Sequence, residues 1–387
     1  MNIAFVCPDD LSVTLYCRGL VSAMKSDRRA APCIISGYFE EFENYTKEIK
    51  SWGNDLRHVS MYRYLNPILD FGYLLSLIKI YREREIDIAV HWTTKPNIYG
   101  PIAAKVCGVK KTIIAIRGLG STFQEGVDLK RKVLKLLVLM FYRIVCRLSD
   151  IVWFTNEDDL NYFISNKVVT PQKVLLTKNA IDIAYYSTSS VNKEKLQLLR
   201  KEFSVGASDK VVVMVARMIW PKGIKEFVEA SEILRKKLPH VKFILVAPLE
   251  TGSPLSIPEG YLKEIQGLEN FIWLQFRKDV REIYAFSDIA VLPSYYKEGG
   301  YPRALLEPMS IGKPVITTDT PGCRGPVEEG KNGYLVPPRD AKSLADAIER
   351  LIMDEVKCNE FGKYSRLKVE REFDERIVIN RLMKELC

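Results

Sequence analysis

The stretch Pro293–Arg324, PSYYKEGGYPRALLEPMSIGKPVITTDTPGCR, decides how the rest of the chain is read. Just before it, Asp288-Ile289-Ala290-Val291-Leu292 is a short continuous apolar run, the pattern of a strand buried on both faces of a parallel sheet. Glu298-Gly299-Gly300-Tyr301-Pro302 cannot prolong that strand, because glycine and proline punctuate it. Arg303 to Ile311 reads as a short helix, ended by Gly312-Lys313-Pro314 before a second buried strand, Val315-Ile316-Thr317. The glycine pair therefore stands where a strand ends and a helix begins. Backbone N–H groups at such a place are open to an anion, and a ligand can approach closely. Glu298 flanks the turn and Glu307 lies within the helix, well placed for hydroxyl groups.

Upstream, Lys210 to Val215 is another buried strand, followed by Ala216-Arg217-Met218-Ile219-Trp220-Pro221-Lys222-Gly223 and a helix to about Leu238. Arg217 and Lys222 flank a strand-to-helix turn, so both can reach one diphosphate. Arginine offers a fixed fork to two oxygens and lysine a point charge. Val241 to Ala247 and Phe271 to Leu274 are further strands, the second followed by Arg277, Asp279 and Val280. Ala341 to Met353 and Val356 to Glu372 are helices. Ser187 to Asn192 (STSSVN) is a shift in composition that marks a domain boundary, dividing the chain into residues 1–186, 187–373 and a tail of 374–387.

The first part repeats the same alternation. Ile3 to Cys7 is a buried strand and Val13 to Lys25 a helix, with Asp9, Asp10 and Ser12 as candidate caps. The intervening loop, Pro8 to Ser12, has no glycine, so the fingerprint of dinucleotide binding is absent and an NAD enzyme is not indicated. A strand at Pro32 to Ser36 precedes an irregular polar stretch and then a long helix, Ile68 to Arg84. Ile86 to His91 is a strand leading through Lys95 into a helix. His91 is read as structural and Lys95 as able to face a phosphate. Lys111 to Ile116 ends in Arg117-Gly118-Leu119-Gly120, a glycine-rich loop at the carboxyl end of a strand, where open α/β sheets bind ligands. Leu129 to Leu148 is a helix, apolar from Leu136 to Tyr142 and basic at its ends (Lys130, Arg131, Lys132, Lys135, Arg143, Arg147). Such a helix is either a core element with solvated ends or a surface that rests on anionic lipid.

Composition sets the limits. A chain of 387 residues with 47% hydrophobic content suits two α/β domains and excludes wholesale disorder. The net charge of +9 is spread along the chain and favours phosphate-bearing or anionic partners, while no nucleic-acid motif appears. The eight cysteines have no ligand spacing, which indicates reduced thiols in a cytoplasmic protein. The first strand lacks the features of a signal peptide, and no apolar window of roughly 18 residues would span a membrane.

Taken together, the motifs resemble those of family 4 glycosyltransferases, retaining enzymes of the GT-B fold in which two Rossmann-like domains face each other across a cleft. Glu298 to Arg324 is similar to the pattern E-G-x-P-x-x-x-x-E followed by G-x-P-V-I-x-T-x-x-P-G-C-R. Arg217 to Gly223 resembles G-R-L-x-x-x-K-G, Phe271 to Val280 resembles F-L-G-x-R-x-D-V, and Asn179 to Asp182 resembles N-G-V-D. The chain departs from the family at Ala180, Ala216, Ala247-Pro248 and Gln275, and Gly300 makes eight residues between the glutamates where the family has seven. The Lys-Pro-Asn-Ile-Tyr-Gly and Gly-Leu-Gly segments are similar to the branch that transfers sugars to undecaprenyl-diphosphate-linked acceptors.

The resemblance implies a retaining hexosyltransferase that moves a hexose or N-acetylhexosamine from a UDP-sugar to a polyprenyl-diphosphate-linked glycan in surface polysaccharide synthesis. It would work peripherally on the inner face of the cytoplasmic membrane, through Leu129–Leu148. Catalysis would rest on Glu298, Arg217 and Lys222. The donor would be held by these residues with Arg277, Gly299, Gly300, Tyr301, Pro302, Arg303 and Glu307, the last accepting from ribose hydroxyls. Lys95, Arg117, Gly118 and Gly120 would lie on the acceptor side. No Asp-x-Asp occurs, so no metal or other cofactor is expected. Competing readings are a transferase with a soluble acceptor, an inactive GT-B partner subunit and a sugar-nucleotide epimerase. The extra Gly300 is expected to widen the turn and shift Glu298 alone.

Overall fold

A computed structural model describes residues 1–27, 32–62, 66–118, 129–250, 253, 255–296 and 298–386. The chain forms two compact units, Met1–Lys178 with Arg376–Cys387, and Asn179–Glu375.

The first unit alternates strand and helix: β1 (Ile3–Val6), α1 (Asp10–Ser26), β2 (Cys33–Gly37), α2 (Glu43–Ser51), β3 (Leu56–Val59), α3 (Pro67–Glu83), β4 (Ile88–Trp92), α4 (Thr94–Cys107), β5 (Lys111–Ile116), α5 (Leu129–Leu148), β6 (Ile151–Phe154), α6 (Glu157–Ser165) and β7 (Val174–Leu176). Its seven strands are all parallel, in the order β3-β2-β1-β4-β5-β6-β7. The order reverses between β1 and β4, so the loops after these strands diverge to opposite faces and open a crevice at their carboxyl ends. Three of the helices, α1, α3 and α6, start on side-chain caps. Asp9 accepts from Ser12 N (2.7 Å), Asn66 from Leu69 N (3.2 Å) and Asn156 from Asp159 N (2.7 Å). Asp9 is thus the cap expected for the first helix, while Asp10 and Ser12 lie inside it.

The second unit continues with α7 (Lys193–Glu202), β8 (Lys210–Val215), α8 (Ile224–Arg235), β9 (Val241–Val246), α9 (Glu259–Gln266), β10 (Phe271–Leu274), α10 (Val280–Phe286), β11 (Ile289–Leu292), α11 (Arg303–Ser310), β12 (Val315–Thr318), β13 (Gly333–Val336), α12 (Ala341–Ile352) and α13 (Glu355–Glu372). Its six strands are again all parallel, in the order β10-β9-β8-β11-β12-β13, reversing between β8 and β11. The last helix, α14 (Glu375–Glu385), puts Leu382 and Met383 into the core of the first unit beside Val13, Cys17 and Leu20 of α1. The second unit begins at Asn179, ahead of the Ser187 to Asn192 stretch. Ser187 there caps a short 3-10 turn, and Ser190 Oγ donates to Tyr185 O (2.6 Å).

Several elements have no counterpart in the sequence reading, α2, β3 and α7 among them. The polar stretch after β2 holds α2 and β3, and a helix, α7, follows the boundary stretch. In α2 only Thr46 and Ile49 are buried, and β3 lies at the sheet edge with one buried residue. Too few apolar positions reach the core for periodicity to show.

His91 is structural, as read. Its ring is fully buried, with Nδ1 3.0 Å from Ile113 O and Nε2 2.7 Å from Tyr81 Oη. Nδ1–H therefore donates to the carbonyl and Nε2 accepts from the tyrosine. The ring lies so close to α4 that a Cβ on Gly100 would sit 2.0 Å from it. Burial lowers the His91 pKa to about 4. The folded state therefore binds fewer protons than the unfolded state between about pH 6.5 and 4, and stability falls as the pH drops through that window. In urea titrations from pH 7 to 4, His91→Gln is expected to lose this part of the decline, although it is less stable at pH 7.

Candidate functional site

The residues that decided the sequence reading meet at the carboxyl ends of β8 and β11, the neighbouring strands where the sheet order reverses. After β8, Trp220–Lys222 forms a 3-10 turn closed by Gly223 at φ 83°. A side chain there would strike the next loop, since a Cβ on Gly223 would lie 2.2 Å from Pro293 O. The two loops are fastened by Pro221 O, which accepts from Tyr295 N (2.9 Å) and Tyr296 N (2.9 Å). From the next strand, the hydroxyls of Thr318 and Thr320 both donate to Ser294 O.

This frame sets Lys222 on Glu298. Lys222 Nζ is 2.6 and 2.8 Å from the two carboxylate oxygens, and the side chains are only 12% and 10% exposed. Ser294 Oγ donates to Glu298 Oε1 (2.8 Å) and accepts from Tyr296 N (3.1 Å). The Tyr296 ring lies between two cations, 5.0 Å from Lys222 Nζ and 5.5 Å from Arg217 Cζ. Arg217 stands two residues after β8; its side chain is 46% exposed and its guanidinium is 3.6 Å from Glu250. The arrangement offers two cations, one seated and one open, beside a buried carboxylate. Among the described residues, no three His, Cys, Asp or Glu side chains cluster so as to hold a metal ion.

The turn ahead of α11 is closely packed. Gly300 adopts φ 132°, and a Cβ there would lie 2.6 Å from Asn179 Nδ2, which donates to Tyr301 O (2.9 Å). On its other side, a Cβ on Gly322 would lie 2.8 Å from both Glu298 Cβ and Gly300 O. The extra glycine is therefore a fitted part of the turn, and Asn179 and Gly322 are what it fits. The Tyr301 ring packs edge-on against Phe373 (5.5 Å). Pro302 occupies the cap position of α11.

Glu307 is 8% exposed, and Arg303 Nε donates to its Oε1 (2.9 Å). Tyr186 stands against the pair. Burial and the Glu307 carboxylate raise its hydroxyl pKa well above the usual range. Arg277 lies on a different loop. It follows β10, the edge strand, and its guanidinium is held by Glu202 (2.7 Å) and Asp279 (2.9 Å), fastening that loop to α7.

In the first unit, Lys95 and Arg117 follow the adjacent strands β4 and β5. The Lys95 ammonium pairs with Asp70, a buried carboxylate that also accepts from Tyr99 Oη (3.2 Å). This pair ties α4 to α3, so the expected phosphate-facing lysine has its charge met by a carboxylate. Arg117 stacks over the Tyr16 ring (4.3 Å) and faces Trp153 (6.0 Å). Gly118 adopts φ 119°, and Gly120 lies outside the described residues. Ser294, Tyr296, Tyr186 and Glu250 were missed in the sequence because no motif spacing singles out a hydroxyl, a ring or a loop carboxylate.

Residues 197–368 match the family described as glycosyl transferases group 1. The chain is 26% identical to the N,N'-diacetylbacillosaminyl-diphospho-undecaprenol alpha-1,3-N-acetylgalactosaminyltransferase of Campylobacter jejuni, over 99% of this chain and 98% of that one. It is 27% identical to the UDP-Gal:alpha-D-GlcNAc-diphosphoundecaprenol alpha-1,3-galactosyltransferase of Escherichia coli, over 81% and 78%. Among solved structures, Anabaena HepE in complex with UDP superposes with a TM-score of 0.77 at 20% identity, covering 100% of this chain and 99% of that one. Sucrose-phosphate synthase from Thermosynechococcus elongatus gives 0.79 at 16% identity, covering 100% and 98%. The chain has the GT-B fold, and its residues 197–368 are a glycosyltransferase group 1 domain.

Proposed function

We propose that the protein is a retaining hexosyltransferase that moves a hexose or N-acetylhexosamine from a UDP-sugar to a polyprenyl-diphosphate-linked glycan in surface polysaccharide or glycan assembly. The observation that carries the reading is the pair of cations after β8, Arg217 and Lys222, set beside Glu298 at the point where the sheet order reverses. Leaving of the nucleoside diphosphate builds negative charge, and fixed cations stabilise it without reorganising. The names of the two relatives support an undecaprenyl-diphosphate-linked acceptor, and that of the Escherichia coli protein a UDP-linked hexose donor. Arg217 and Lys222 would hold the diphosphate without metal, Glu298 would order Lys222 beside the sugar, and the second oxygen of Glu307 would accept from ribose. A thermal-shift panel of sugar nucleotides tests the donor. At 100 times its dissociation constant a bound nucleotide adds about 2.7 kcal/mol of stability, so UDP-sugars should raise Tm and GDP- or ADP-sugars should not. A panel in which only a different nucleotide series raises Tm would overturn the UDP assignment.

The acceptor implies a lipid surface, and the first unit offers one. Leu136, Leu137, Met140 and Ile144 are exposed along one stripe of α5, and Ile68, Phe71 and Leu75 along one stripe of α3. Both helices cover the same face of the sheet, with α4 packed against each. No helix among the described residues is long and apolar enough to cross a membrane. With Lys135 and Arg147 on α5, these stripes suit a protein that lies on anionic lipid. Leu136→Glu combined with Phe71→Glu should abolish co-sedimentation with phosphatidylglycerol vesicles and leave UDP binding intact. Unchanged sedimentation would remove this face from the reading.

A further inference from the structure

Glu250 is the feature of the second unit that no motif explains. It stands after β9, where this chain reads Val246-Ala247-Pro248-Leu249-Glu250 in place of the glycine-rich loop of the resembled family. The segment is laid back along the Arg217 turn. Met218 N donates to Pro248 O (3.2 Å), Trp220 N to Leu255 O (3.0 Å) and Ile257 N to Met218 O (3.4 Å). Ser256 Oγ donates to the carbonyl of Glu250 itself. The chain is thus held at Pro248 and at 255–257, and the Glu250 carboxylate sits 3.6 Å from the Arg217 guanidinium. The two side chains differ in freedom: that of Glu250 is 15% exposed and that of Arg217 is 46% exposed. The carboxylate is seated, and the guanidinium is the partner able to move.

We propose that Glu250 is a positioning residue that acts as the resident counter-ion of Arg217, holding the guanidinium in the empty site and yielding it to the donor diphosphate. The proposal rests on the reading of Arg217 as a diphosphate ligand. Two anions then compete for one guanidinium, and the seated carboxylate also repels the incoming charge. Glu250 therefore weakens nucleotide binding and hastens departure of the nucleoside diphosphate, product release being the step that limits turnover in many enzymes. The exchange moves no bond and needs only the side-chain freedom of Arg217.

Calorimetric titration of the full chain with UDP and with uridine, which lacks the phosphates, tests this. Glu250→Gln keeps shape and removes charge. It should bind UDP roughly two- to fivefold more tightly, the range set by a partly exposed ion pair, and bind uridine unchanged. KM for the donor should fall by the same factor while kcat does not rise. In an Arg217→Ala background, Glu250→Gln should have no effect. Glu250→Asp, which withdraws the charge by one methylene, should shift UDP affinity the same way by a smaller factor. Weaker or unchanged UDP binding by Glu250→Gln, or an equal gain for uridine or in the Arg217→Ala background, overturns the counter-ion role. Arg217→Ala that binds UDP as the unaltered protein does would instead overturn the diphosphate reading itself, so the two failures are distinct.

Discussion

Lys222→Ala is expected to lower sugar transfer by about 100- to 1000-fold, the usual cost of removing one preorganised group from a developing negative charge. The substitution also leaves Glu298 without its cation. Both carboxylate oxygens are within 2.8 Å of Lys222 Nζ, and each side chain is nearly buried. Breaking a buried pair by removing one partner costs about 3–5 kcal/mol, because the remaining charge stays desolvated. Stability and activity must therefore be separated. Glu298→Gln added to Lys222→Ala removes the orphaned charge, while Ser294 Oγ can still donate to the amide oxygen. The double variant should regain most of the lost urea midpoint and none of the transfer. If the double variant recovered transfer with stability, Lys222 would be a structural ion-pair partner and not a diphosphate ligand.

Gly223→Ala is the second large effect. Gly223 has φ 83°, a left-handed conformation that costs a non-glycine residue about 1 kcal/mol. Its Cβ would also meet Pro293 O at 2.2 Å and Pro293 Cγ at 2.8 Å. A backbone oxygen cannot swing aside, so the loops after β8 and β11 must part, at an overpacking cost of about 1–3 kcal/mol. The two loops are the ones that set Lys222 on Glu298, so transfer should fall with stability. Gly260→Ala is the control. It lies in α9 with nothing within 4 Å of its Cβ, and alanine there should be neutral or slightly stabilising. Chemical denaturation of the two variants reads the contrast directly. Equal midpoints would mean that the loops are not held against each other.

These two residues also mark what could be read from the sequence. Continuous apolar runs such as Lys210–Val215 and Asp288–Leu292 announce parallel strands, because both faces of such strands are covered. Once both strands are assigned, a strand-to-helix turn after each puts Arg217, Lys222 and Glu298 at one sheet end. Their placement follows from topology and not from long-range pairing. The edge elements α2 and β3 were illegible for the opposite reason, since they bury too little to carry a period. Arg277 and Lys95 show a second limit. Spacing places a cation near a ligand, but it does not reveal the carboxylates Glu202, Asp279 and Asp70 that meet those charges. Gly300 shows a third. An inserted residue reads as slack in a turn, yet its φ of 132° and the approach of Asn179 make it a fitted one. Deleting it would draw Tyr301 O away from Asn179 Nδ2, a contact between residues far apart in the chain.

The proposed reaction is transfer from a UDP-sugar to a lipid-linked diphosphate. Its most direct measurement incubates the purified chain with radiolabelled UDP-hexose or UDP-N-acetylhexosamine and a polyprenyl-diphosphate-linked sugar in anionic vesicles. Label is then counted in the organic extract. Label is expected in the lipid with the unaltered protein, with a loss of about 100-fold or more for Lys222→Ala combined with Glu298→Gln. Label that stays in the aqueous phase for every donor, as free sugar or as a different UDP-sugar, would contradict it.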